Sequence, residues 1–149
     1  MIVDSEKSVG VEALKVFESF LGAKLPKEYF EHLLNYNGGY PQPDAFNFLD
    51  GGTASSVQEF YKLNSKDAYN DLIQNYKMFQ DRIPTELIAV GCDPGGNQIC
   101  LAINGQDFGK VLFWDHEFEA DNGETPTYEN IRLISKNFNS FLESLYEIT

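Results

Sequence analysis

Basic residues are scarce in this chain: eleven Lys and Arg stand against twenty-three Asp and Glu, a net charge of −12 at pH 7. Duplex DNA carries one negative charge per roughly 1.7 Å, so direct nucleic-acid binding would work against the protein's own field. An anionic membrane surface is disfavoured for the same reason. A basic protein is the partner that this charge balance suits. Cysteine is nearly absent too. Cys92 and Cys100 both lie in apolar runs and read as buried, reduced thiols of a reducing compartment. With only His32 and His116 and no local ligand spacing, a four-ligand zinc site is not expected, nor any other metal or cofactor. The uncharged stretch between Asp93 and Asp107 holds Pro94, Gly95, Gly96 and Asn97 and is too short to span a bilayer. Met1–Gly10 carries Asp4, Glu6 and Lys7 with no apolar signal core behind them, so a cytoplasmic location is expected. No repeat, low-complexity tract or Gly/Ser linker divides residues 1–149, which read as one domain.

What is plentiful is apolar and aromatic: 42 % of residues are hydrophobic, and twelve Phe, eight Tyr and one Trp are enough for a core without disulfide or metal. Leu14, Phe17 and Leu21, with Ala13, Val16 and Phe20 alongside, form a helical stripe opposite Glu12, Lys15, Glu18 and Ser19; Gly22 stops it. Pro26 suits the first turn of a second helix that buries Tyr29, Phe30, Leu33 and Leu34, exposes Lys27, Glu28, Glu31 and His32, and ends at Gly38-Gly39. A third carries Tyr69, Leu72, Ile73, Tyr76 and Phe79 and stops before Pro84. A fourth is capped by Ser135 and aligns Phe138, Phe141, Leu142 and Leu145. Between them the period changes to that of strands: Phe46–Leu49 and Val57–Leu63, then Glu86–Cys92, Gln98–Ile103 and Lys110–Trp114. The last three are almost continuously apolar, which suits strands covered on both faces, and their short connections make them antiparallel. The expected class is α+β: a mostly antiparallel central sheet of about five to six strands with four helices packed on it.

Little in the sequence looks catalytic. Asp93-Pro94-Gly95-Gly96-Asn97 lacks phosphate-loop spacing, joins strand to strand, and reads as a tight turn. His116 lies between Asp115 and Glu117, but on an extended segment those two acids would share one face and the ring the other. No nucleophile–base constellation appears, and an enzyme is not expected. The stretch from Asp115 to Glu129 is more informative. It holds Asp115, Glu117, Glu119, Asp121, Glu124 and Glu129, with no Lys or Arg between Lys110 and Arg132, and Asn122-Gly123 and Pro126 make it a loop. Such a run is either a solvated face or a steering surface for a basic protein. On the second reading the partner-binding residues are Asp115, Glu117, Glu119, Asp121 and Glu124, with Trp114 and Phe118 as aromatic anchors.

Set in order, these pieces resemble the SUKH superfamily (SMI/KNR-type). The matching residues are Leu25-Pro26 with Tyr29, Asn37-Gly38-Gly39, Gly91-Cys92-Asp93, and Gly95-Gly96-Asn97 leading into Ile99-Cys100-Leu101. They continue with Gly109-Lys110-Val111, Phe113-Trp114-Asp115-His116-Glu117, and Ser135 with Phe138, Phe141 and Leu142. A polar, proline-bearing Tyr40–Asp44 segment and a long acidic loop depart from the pattern. The resemblance implies an α+β fold with a central sheet. It also implies an immunity protein that binds and blocks a cognate toxin domain, often a nuclease. The alternative it offers is an intracellular scaffold of the cell-wall-regulator type, with a peptide or small-ligand groove. It supplies no catalytic residues, and it implies that Gly95, Gly96, Asn97, Trp114 and Asp115 are turn and core determinants. Fold kinship alone does not assign a site.

Overall fold

A computed structural model of the protein describes residues 1–3, 9–52 and 55–148. The elements run β1 (Ile2–Val3), α1 (Val11–Leu21), α2 (Lys27–Asn35), β2 (Tyr40–Pro41), β3 (Ala45–Phe46), β4 (Ser55–Ser56) and β5 (Glu59–Phe60). They continue with α3 (Leu72–Phe79), β6 (Leu87–Cys92), β7 (Gln98–Ala102), β8 (Val111–Trp114), β9 (Ile131–Ser135) and α4 (Phe138–Ser144). Short 3-10 turns at Ala68–Asn70 and His116–Phe118 precede α3 and follow β8. The arrangement is α+β. Among the described residues β5-β6-β7-β8-β9 form one antiparallel sheet, and β1-β2 and β3-β4 form two small antiparallel ladders.

The three central strands lie where the apolar runs place them, and every residue of β7 and β8 is buried. Adjacent β8 residues point to opposite faces of the pleat. Trp114 meets Phe79 of α3 edge-on, at 5.5 Å between ring centroids, while Phe113 meets Phe46 and Phe48. Phe46 in turn packs on Phe141 of α4. The sheet is therefore covered on both sides, which is why its middle strands carry almost no polar residue. Fully burying one such aromatic side chain contributes about 1.5–3 kcal/mol. Close backbone approach fixes Gly91: a Cβ there would lie 2.7 Å from the Glu59 carbonyl of β5. The bulge that leaves Val90 unpaired in β6 sits beside it.

Several expectations need correction. Phe46–Leu49 does not enter the main sheet. Only Ala45–Phe46 pairs, with Ser55–Ser56, and the Leu49 amide donates to the Leu133 carbonyl, covering the edge strand β9. The fifth sheet strand is instead β9, and Ser135 is its last residue rather than a helix cap. Asn137 caps α4, its side-chain oxygen accepting the Ser140 amide at 2.8 Å. On α1, Val16 is 68 % exposed and Phe20 is also exposed, whereas Glu18 turns in to accept the Leu25 amide at 2.7 Å. Tyr69 falls in the 3-10 turn and is exposed; α3 starts at Leu72, capped by Asp71. His32, expected at the surface, is 4 % exposed on the inner face of α2, with ring contacts to Tyr29, Tyr36, Phe60 and Phe138. Neither of its ring nitrogens has a hydrogen-bond partner among the described residues.

Candidate functional site

The acidic loop hangs between β8 and β9 and is shut at its base by two hydrogen bonds. The Asp115 amide donates to the Asn130 carbonyl at 3.0 Å, and the Asn130 side-chain amide donates to the Asp115 carbonyl at 2.9 Å. Inside that base, Asp115 caps the His116–Phe118 turn by accepting the Glu117 amide at 3.0 Å. The His116 amide donates to the Asn97 side chain at 3.0 Å, and its Nε2 lies 2.9 Å from the Gly95 carbonyl. A carbonyl can only accept, so Nε2 carries the proton in this contact. The Asp93 carboxylate takes the amides of Gly95 and Asn97 at 2.9 and 2.8 Å, so this turn spends its own donors on its own acid.

Two fasteners tie the loop to the rest of the sheet. The Arg82 guanidinium grips Glu119 through both carboxylate oxygens, Nε–H to Oε2 at 3.0 Å and an Nη2–H to Oε1 at 2.8 Å. It lies over Phe79 at 4.7 Å and Trp114 at 5.5 Å, so a cation stacked on the core holds the loop down. The pairing keeps the Glu119 carboxyl below the usual carboxylate range. At the other end Tyr128 donates its hydroxyl to Glu86 at 2.6 Å, and desolvation together with that carboxylate pushes the phenol up. Between these fasteners the chain turns at Asp121–Glu124 and arches over a groove of about 1000 Å³, whose other wall is Gln80–Glu86 between α3 and β6. Five carboxylates line it (Asp81, Glu86, Glu119, Asp121 and Glu124) against one guanidinium.

The expected partner residues separate around this geometry. Glu119, Asp121 and Glu124 converge on the large groove. Asp115 and Phe118 instead line a second one, of about 500 Å³, with Phe48, Phe113 and Arg132. Glu117 is exposed and borders neither. Phe118 is 71 % exposed. Trp114 is the correction: at 1 % exposure it lies beneath the surface, so it supports Arg82 and cannot reach a partner without unpacking the core. Asp81, Arg82 and Glu86 were not anticipated. They come from a polar connection some thirty residues upstream, and only the β6-β7-β8 order brings them beside the loop. Among the described residues no group of three or more His, Cys, Asp or Glu converges as metal ligands, and no helix is long and apolar enough to cross a membrane.

A family model, the SMI1 / KNR4 family (SUKH-1), matches residues 9–144. The chain belongs to that family. The SMI1/KNR4 match runs from α1 through α4 and takes in the acidic loop and both grooves. A similar SPbeta prophage-derived uncharacterized protein, YokK of Bacillus subtilis (strain 168), is 29 % identical over an alignment that covers 91 % of this chain and 74 % of that protein.

Proposed function

We propose that this SMI1/KNR4 protein is a non-enzymatic, cytoplasmic binding domain of the immunity type that neutralises a basic toxin domain through its acidic loop and groove. The observation that carries the reading is the charge of the large groove: five carboxylates share it with one guanidinium, and that guanidinium is already held by Glu119. A nuclease grips phosphates with a cationic cleft. Carboxylates set at the spacing of those phosphates would occupy the cleft and exclude the nucleic acid, and the net charge of −12 would steer the approach. Complementary charge can raise association from about 10⁵–10⁶ to 10⁸–10⁹ M⁻¹s⁻¹ at low salt.

The test is co-expression with a basic, nuclease-like module encoded beside this gene. Cells making that module should survive only when this chain is present. With the purified pair, the triple variant Asp81→Asn, Asp121→Asn, Glu124→Gln should associate at least about tenfold more slowly at low salt and lose most of its salt dependence. Unchanged kinetics in that variant would place the contact elsewhere on the molecule. Survival without this chain would reject the immunity role.

A further inference from the structure

We propose that the second groove, floored by Phe48 and Phe113 and flanked by Phe118, receives one apolar side chain carried on the same cationic partner. This rests on the electrostatic reading above and adds a second point of attachment to it. A singly exposed Phe is unremarkable by itself; the surroundings of Phe118 are what matter. It stands beside a concavity of about 500 Å³, within the size range of small-ligand sites, and the floor of that concavity is two rings already in edge-on contact at 5.1 Å.

The polar groups of the groove decide which chemistry fits. Asp93 already accepts four hydrogen bonds, from the Gly95 and Asn97 amides, the Asn97 side chain and the Ser55 hydroxyl. The Asn97 side-chain oxygen takes the His116 amide, and the Asn130 side-chain amide is given to the Asp115 carbonyl. Arg132 donates to Asp50 at 2.7 Å and to the Gly51 carbonyl, and lies 3.9 Å over the Phe48 ring. A polar small molecule would find its partners largely spoken for. An apolar side chain would instead pack on the exposed ring of Phe118 and on the ring edges of Phe48 and Phe113 that reach the groove.

Charge selects the segment that bears the side chain. Asp115 and Glu129 line the rim, and Arg132, the one cation among its described residues, is paired with Asp50, so the rim favours flanking lysines or arginines. Continuity points the same way: Phe118 and Glu119 are sequence neighbours that line different grooves, so one segment crossing the His116–Phe118 turn meets both. Aromatic anchors inside a charged surround are the usual composition of interface hot spots.

Two heptapeptide probes test this, one of seven lysines and one with tryptophan in place of the central lysine, titrated by calorimetry and by amide chemical shifts. Both should shift the amides of Asp121 and Glu124. The tryptophan peptide should also shift Phe118 and Asn130 and bind at least about fivefold tighter. Phe118→Ser, a change at an exposed position, should abolish that increment and leave the lysine peptide unaffected. Equal affinities for the two peptides, or an increment that survives Phe118→Ser, would overturn the second groove and leave the acidic one standing. A lysine peptide that leaves Asp121 and Glu124 unmoved would remove the cationic partner itself, and both proposals with it.

Discussion

Acid should destabilise this protein through His32. The ring sits on the inner face of α2, in contact with Tyr29 and Tyr36 of its own helix, Phe60 of β5 and Phe138 of α4. These neighbours set aromatic rings against the imidazole and no carboxylate. Desolvation lowers the imidazole from its ordinary 6.5 to about 4. The fold therefore holds His32 neutral, and between those two values the unfolded chain binds the extra proton. The His32 contribution to stability is full above about pH 7, falls as pH drops through 6.5, and levels off below 4. Worked through the linkage relation, the loss between pH 7 and pH 5 is about 2 kcal/mol, out of about 3 kcal/mol in the acid limit. Urea unfolding of the wild type and of His32→Phe, measured at half-unit steps across that range, isolates the effect, because the other titrations cancel in the difference. The variant keeps a ring in the aromatic nest and removes two buried nitrogens that have no hydrogen-bond partner among the described residues. It should also be the more stable protein at pH 7. Parallel stability curves for the two proteins between pH 7 and 5 would refute the argument.

Two further substitutions test the architecture under the site. Gly91→Ala would press a methyl group against the Glu59 carbonyl, at 2.7 Å, so a loss of more than about 2 kcal/mol is expected in urea; a loss under 0.5 kcal/mol would mean that β5 yields readily. Trp114→Ala and Phe118→Ser should differ sharply, the first costing about 3–5 kcal/mol as a core truncation and the second within about 0.5 kcal/mol of the wild type, both read from denaturant midpoints.

The strands at the centre of the sheet were legible because burial on two faces leaves unbroken apolar runs, as in Val111-Leu112-Phe113-Trp114. That same run signals that Trp114 is interior, a stronger indication than its place next to acidic residues. β9 was harder to see. Arg132 interrupts Ile131–Ser135, Ser135 imitates a helix cap, and Ile134 is the extra residue of a bulge, pairing being Val111 with Ser135 and Leu112 with Leu133. His32 was misread because the cover over it comes from α4, more than a hundred residues away, which no local period records. The acidic loop announces itself in composition. Its facing wall does not, since Asp81, Arg82 and Glu86 acquire meaning only once the sheet order sets α3 and β6 opposite residues 119–128.

The doubly bonded neck formed by Asp115 and Asn130 has an engineering consequence. Each of its hydrogen bonds ends on a backbone atom of the opposite residue, so neither depends on what is strung between them. Residues 120–127, which lie between the Glu119 and Tyr128 fasteners, can thus be exchanged as a cassette: a graft of other length or polarity would inherit the same neck and both fasteners, and retargeting the domain would leave the sheet beneath it untouched.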